Sequence, residues 1–243
     1  MYPEICKIGP FTIYSYGLML ALAFMASVAL ARIQAKEENI SPDLIFNFSF
    51  LVFVSGIIGA RIFYIIENAG FYIKRPTQMI MLQQGGLSWF GGLILGVVCG
   101  IIYLRKKRAS VYKIFDLIAP FLALAQSIGR IGCLLNGCCF GKVSKFGIYF
   151  PLHNAVLIPT QLCSSLILIL IFIILRSFQD KPHREGAIFF TYLLLYSLKR
   201  FFIEFWRADN KIIFGGLTLF QILSILLFCL SIAQLTFIKK SEP

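Results

Sequence analysis

The sequence predicts an all-α polytopic membrane protein with about seven transmembrane helices, its N-terminus outside and its C-terminus cytoplasmic. Three observations carry this. Hydrophobic residues make up 58% of the 243-residue chain and charged residues only 14%, with a mean hydropathy of +0.82. A soluble domain has about 45–50% apolar and about 25% charged residues. The apolar residues fall into runs of about 20, the length that crosses a hydrocarbon core. The basic residues sit mostly in the short connections between those runs. The net charge of +12 is therefore a membrane-orientation signal rather than a nucleic-acid signal, and nucleic acid is excluded as a partner.

The runs are read in order at 11–31, 44–66, 86–104, 115–135, 161–178, 187–206 and 216–238, the fifth being the shortest. No soluble domain or low-complexity tract interrupts them, so residues 1–243 are expected to form one integral membrane domain. The longest connections, 67–85 and 136–160, are expected to form a small cap on one face. Lys and Arg set the orientation. Twelve lie at one set of ends: Arg32, Lys36, Arg105, Lys106, Lys107, Arg108, Lys113, Arg176, Lys181, Arg184, Lys239 and Lys240. Seven lie at the other: Lys7, Lys74, Arg75, Lys142, Lys145, Arg207 and Lys211. Arg61, Arg130, Lys199 and Arg200 lie inside runs. The first set is assigned to the cytoplasm.

That orientation draws the unusual residues toward the outer leaflet. Tyr14 and Tyr16 fall in the outer part of the first run, and Arg61 and Tyr64 toward the outer end of the second. The third run begins with Gly85-Gly86-Leu87-Ser88-Trp89-Phe90-Gly91-Gly92. The fourth ends in Gly129-Arg130-Ile131-Gly132-Cys133-Leu134-Leu135-Asn136-Gly137-Cys138-Cys139-Phe140-Gly141, the most informative segment of the chain. A charged residue at such depth costs roughly 2.5–3.5 kcal/mol on insertion scales, and is retained where it has an anionic partner. Glycines allow backbone and ligand to approach closely. Gln126, Arg130, Cys133 and Gly137 share one helix face by spacing, as do Tyr196, Arg200, Glu204 and Arg207. A basic stripe holding one carboxylate in an apolar helix is read as an anionic headgroup site. A purely structural salt-bridge network is its alternative.

The seven cysteines (6, 99, 133, 138, 139, 163 and 229) are odd in number and scattered, so no disulfide framework is expected. The only histidines are His153 and His183. The spacing of Cys133, Cys138 and Cys139 matches no common zinc pattern. These cysteines are read as small packing residues, with no metal and no cofactor.

The chain resembles the bacterial prolipoprotein diacylglyceryl transferase family over nearly its whole length. The resemblance rests on Ile8-Gly9-Pro10 followed by Tyr16-Gly17-Leu18-Met19, on Gly59-Ala60-Arg61-Ile62, and on Gly85-Gly86-Leu87-Ser88 before Gly91-Gly92-Leu93. It continues through Gly129-Arg130-Ile131-Gly132, Leu135-Asn136-Gly137 and Phe140-Gly141. Pro159-Thr160-Gln161-Leu162, Arg200 with Glu204-Phe205-Trp206-Arg207, and Gln221-Ile222-Leu223-Ser224 complete it. The resemblance implies a multi-pass enzyme of the bacterial cytoplasmic (inner) membrane, active face outward. Such an enzyme moves diacylglycerol from phosphatidylglycerol to the lipobox cysteine thiol of a preprolipoprotein signal peptide, releasing glycerol phosphate. It implies no metal or organic cofactor.

Arg130 and Arg207 match the family's phosphate-facing arginines. Tyr16, Asn136 and Gly141 match positions on which the family relies. Arg61, Arg200 and Ser88 are expected on the substrate side. Three departures stand out. Phe90 occupies a position where the family often has histidine or tyrosine. Cys133 and Cys138 stand where well-known members have Asn and Glu, and Gln161-Leu162-Cys163-Ser164 replaces Gln-Leu-Tyr-Glu. A replacement base is sought among His153, Glu204 and a Tyr16 tyrosinate. The alternative function is a paralogue of the same fold that binds a phospholipid, or transfers another lipid moiety, without the standard thiol-activating residue.

Overall fold

The computed structural model describes every residue except 9, 10, 82–84, 211 and 241–243, and every remaining side chain except those of 8, 11, 214 and 240. Gly9, Pro10 and Lys211, used in the sequence reading, thus lie outside the described residues. The elements run β1 (Glu4–Ile8), β2 (Phe11–Tyr14), α1 (Ser15–Glu37), α2 (Pro42–Glu67), α3 (Ala69–Tyr72), α4 (Trp89–Lys106) and α5 (Val111–Asn136). They continue with β3 (Val143–Phe150), β4 (Ala155–Leu157), α6 (Thr160–Gln179), α7 (Ala187–Glu204), β5 (Ile212–Phe214), β6 (Leu217–Thr218) and α8 (Leu219–Lys240).

Each predicted run is a long helix. Six of them (α1, α2, α4, α5, α6 and α8) are apolar and long enough to cross a membrane. The seventh, α7, matches α4 in length at 18 residues, but carries Lys199, Arg200 and Glu204. Those charges separate it from the other six. The exposed faces of the spans are apolar, as at Leu166, Ile173, Leu226 and Phe237. Such faces suit contact with acyl chains, where a helix satisfies its own backbone.

Two compact units result: residues 1–31 with 115–243, and residues 32–114. In the second unit, α2 and α4 approach until their backbones touch. A Cβ on Gly59 would lie 2.4 Å from the Gly91 carbonyl oxygen, and one on Gly91 would lie 2.3 Å from that of Gly59. Gly92, Gly96 and Gly100 continue the seam along α4, facing Gly56, Val52 and Phe48. Small residues at four-residue spacing are the usual means of close helix packing in lipid.

The first unit is centred on α5, α6 and α7. Ala119, Ala123, Leu168, Ile171, Leu175, Ile188 and Tyr192 form its core. Polar side chains fix the register within it. The Ser127 hydroxyl donates to the Ser165 carbonyl and the Ser165 hydroxyl to that of Ser127, each at 3.0 Å. Asp116 on α5 accepts from the backbone N–H groups of Gly186 (2.6 Å) and Phe189 (2.8 Å). It thereby caps the N-terminus of α7, an end whose N–H groups and dipole favour a carboxylate. Among the described residues, three short antiparallel hairpins, β1–β2, β3–β4 and β5–β6, join or precede the helices. Each lies next to a helix end that bears site residues.

Candidate functional site

The site is built where α5 and α7 end. Helix α5 stops in a Schellman turn. Gly137 takes φ +74°, its N–H donates to Leu134 O (3.1 Å), and the Cys138 N–H donates to Cys133 O (3.1 Å). Cys139 follows at φ +60°. The loop then pairs with the segment after α7. Lys142 N–H donates to Trp206 O at 2.8 Å, Ala208 N–H donates to Phe140 O, and Gly141 bridges Arg207. Gly141 cannot carry a side chain here, because a Cβ would lie 2.7 Å from Ile158 O and 2.9 Å from Thr160 Cγ2. Thr160 Oγ1 donates to Cys139 O and Gln161 Nε2 to Cys138 O, both at 2.6 Å. The Pro159-Thr160-Gln161 turn thus holds the loop from behind.

This pairing brings the basic residues together. Arg130 sits half-buried on the last turns of α5. No hydrogen bond or ion pair holds its guanidinium among the described residues, yet Tyr16, Cys133, Cys139, Lys199 and Arg200 all feel its charge. Lys199, only 5% exposed, places Nζ 4.5 Å from the centre of the Tyr196 ring. Arg200 stacks over Phe220 at 4.3 Å and faces Glu204 Oε2 at 3.1 Å. Arg207 lies past the end of α7 rather than on its face. It chelates Asp209 with Nε and Nη2 (2.8 and 2.6 Å) and stands 3.9 Å from Glu204.

The Glu204 side chain has no exposed surface. Oε1 accepts from Asn210 Nδ2 (2.6 Å) and Thr218 Oγ1 (2.8 Å). Oε2 makes only the ion-pair contacts, without hydrogen-bond alignment. Of the four basic side chains gathered here (Arg130, Lys199, Arg200 and Arg207), only Arg200 and Arg207 pair with the two carboxylates, Glu204 and Asp209. Asp209, Asn210 and Thr218 were not found from the sequence. They lie after the helical stripe, where periodicity gives no signal. Thr160 and Gln161 stood in a recognised motif without a role.

The remaining site residues divide between the units. Tyr16 is near Arg130 because α1 packs on α5 through Gly132, whose Cβ would lie 2.9 Å from Met19 Cβ and 3.5 Å from the Tyr16 ring. Asn136 ends α5, and the Cys138 thiol just beyond it donates to Cys133 O at 3.7 Å. His153 is exposed, in the turn between β3 and β4. Its Nε2 is 3.0 Å from Gly137 O, and its ring centre is 4.0 Å from that of Phe140. A carbonyl can only accept, so Nε2 is the donor, and in the neutral ring the lone pair is then on Nδ1. The thiols of Cys133, Cys138 and Cys139 lie within 4.8 Å of one another. Hydrogen bonds from Cys133 and Cys138, and then the Arg207 and Arg130 guanidiniums, hold the Cys139 thiol below its ordinary range.

Arg61 and Ser88 belong to the second unit. All five N–H donors of Arg61 reach backbone carbonyls: Nε to Met79, Nη1 to Gly85 (2.6 Å) and Gly86, Nη2 to Gln78 (2.6 Å) and Met81. The Ser88 hydroxyl donates to Glu67 at 3.0 Å. Phe90 packs edge-on against Trp89.

Multiple apolar helices long enough to cross a membrane define a multi-pass membrane protein. The chain belongs to the prolipoprotein diacylglyceryl transferase family, which it matches over residues 3–237. It is similar to a protein of Clostridium tetani, 34% identical over 218 residues and 87% of each chain. It is also similar to one of Nostoc sp., 32% identical over 97% of this chain and 89% of the other. A third, from Streptococcus agalactiae, is 31% identical over 99% of this chain and 97% of the other. All three are named phosphatidylglycerol–prolipoprotein diacylglyceryl transferase.

Proposed function

We propose that this chain transfers the diacylglyceryl group of phosphatidylglycerol to the lipobox cysteine thiol of a preprolipoprotein. The observation that carries the reading is the half-buried Arg130 guanidinium, unpaired among the described residues, inside a cluster with excess positive charge. A phosphodiester headgroup fits such a site in charge, and a guanidinium fork fits it in geometry.

The acceptor sulfur attacks the glyceryl carbon that bears the phosphate. A carbon–sulfur bond forms, the carbon–oxygen bond breaks, and glycerol phosphate departs with the bond's electron pair. Its phosphate gains negative charge as it leaves. Arg130 and Arg207 are the groups placed to hold that charge, an effect that grows where water is excluded. Glu204 acts behind them. Fixed by Asn210 and Thr218, it keeps Arg200 and Arg207 oriented. Asn136 and Gly141 support the loop that carries the cysteines, and Tyr16 borders it from α1. Arg61 organises the carbonyls of Gln78, Met79, Met81, Gly85 and Gly86, and Ser88 holds Glu67, within the second unit.

The thiol must lose a proton, since a free cysteine has pKa about 8.5. His153 is the proposed acceptor, through Nδ1. Its Nε2 proton is held by Gly137, which orients the ring beside the loop. The reaction requires the loop and β-hairpins to face the outer side of a bacterial cytoplasmic membrane, where preprolipoproteins present their cysteine.

Turnover of phosphatidylglycerol by purified variants tests the anion site. Arg130→Gln is expected to lower it by at least about 10²-fold, the usual loss for a group aimed at developing charge. Lys107→Gln, which removes a charge in a connection outside the site, is expected to leave it unchanged. Equal effects of the two substitutions would make the cluster a structural salt-bridge network.

A further inference from the structure

The thiol cluster has a capacity that diacylglyceryl transfer does not use. Cys133, Cys138 and Cys139 bring three half-buried sulfurs within 4.8 Å of one another. The Cys138 N–H bond to Cys133 O closes the turn between two of them. Gln161 and Thr160 hold the Cys138 and Cys139 carbonyls from outside. The sulfurs are thus gathered by backbone geometry before any ligand arrives. A metal–thiolate bond of about 2.3 Å sets three sulfurs around a trigonal ion about 4 Å apart, a small contraction from the observed spacing.

Ligand type and charge narrow the ion. Thiolate and thioether donors select soft ions such as Cu(I). Structural zinc sites are almost always closed by four ligands, and this group holds three among the described residues. Three thiolates around a monovalent ion carry a charge of minus two, and Arg130 and Arg207 lie close enough to these thiols to offset negative charge there.

We propose that Cys133, Cys138 and Cys139 form a three-thiolate site for a soft monovalent cation of the Cu(I) class. Binding releases the three thiol protons to solvent and changes no oxidation state. The cations that balance the bound complex are those that receive the phosphate, so the complex and an anionic headgroup compete for them. Zinc-type spacing rules miss such a site, because adjacent Cys138 and Cys139 converge only through the positive φ of Gly137 and Cys139.

The test uses the full chain in phosphatidylcholine nanodiscs, whose headgroup carries no net charge to compete, titrated anaerobically with Cu(I) buffered by bicinchoninate. One Cu(I) per chain is expected to leave the chelator. Cys133→Ser, Cys138→Ser and Cys139→Ser are each expected to weaken uptake at least tenfold, and Cys99→Ser and Cys229→Ser to leave it unchanged. X-ray absorption on the loaded wild-type protein counts the sulfur ligands without any variant, and three at about 2.2–2.3 Å are expected. No uptake, equal uptake by the triple serine variant, or a shell of nitrogen and oxygen would overturn the proposal. Transferase activity is measured on the metal-free protein. Activity without Cu(I) uptake removes this inference alone, and uptake without activity removes only the transferase reading.

Discussion

At the scale of single residues, the site separates groups that are committed from groups that are available. Glu204 is committed through Oε1, which Asn210 and Thr218 hold, while Oε2 faces Arg200 and Arg207 without a hydrogen bond. A proton taken up on Oε2 would cost it those ion pairs. Arg130 is available, and so is Nδ1 of His153. His153→Ala is therefore expected to lower kcat by about 10²–10⁴-fold, the range for a general base, with little change in KM for phosphatidylglycerol. An unchanged kcat, together with loss of activity in Tyr16→Phe, would move the proton acceptor to Tyr16. Much of this was legible beforehand. Arg130, Arg200, Glu204 and Arg207 stand out because charge in an apolar run is costly. Their partners were not legible. Asp209, Asn210 and Thr218 are ordinary polar residues in a loop, and only the hairpin of β5 and β6 carries Thr218 back to Glu204. The donors of Arg61 were also hidden, since sequence cannot tell a guanidinium facing a ligand from one holding five carbonyls.

At the scale of elements, hydropathy located all seven helices, because a run of about 20 apolar residues has few other solutions. Their ends differ from the reading by a few residues. The differences matter at Gly137 and Arg207, which were placed on helix faces and instead lie just past the helix ends. There a left-handed glycine and a backbone bridge aim the loops. The hairpins were not foreseen, since strands of two to eight residues leave little periodic trace. The glycine seam between α2 and α4 yields a direct stability test. A Cβ at residue 91 would meet the Gly59 carbonyl and the Phe63 side chain, so the helices must separate to admit it. Gly91→Ala is expected to destabilise the protein by about 1–3 kcal/mol, as overpacking does, read as a lower thermal midpoint in detergent. Gly17→Ala, at a position with nothing within 4 Å, serves as the control. An equal midpoint for both variants would show that the seam tolerates separation.

At the scale of the whole molecule, the account needs one orientation. The β3–β4 hairpin and the loop after α5 must lie outside, where a lipobox cysteine is presented, and the C-terminal end of α8 inside. A phosphatase reporter fused at Lys145 should be active, and one fused after Lys240 inactive. The opposite pattern would turn the proposed site toward the cytoplasm. The central claim is that the cation cluster, and Arg130 in particular, drives expulsion of glycerol phosphate as a thiol takes the diacylglyceryl group. It is tested most directly by incubating the purified, metal-free chain with phosphatidylglycerol and a synthetic lipobox peptide, then reading peptide mass and released glycerol phosphate together. The account predicts a diacylglyceryl mass increase on the cysteine, one glycerol phosphate per modified peptide, and loss of both in Arg130→Gln. Peptide modification by Arg130→Gln at the wild-type rate would contradict it, as would phosphatidylglycerol breakdown without any peptide product.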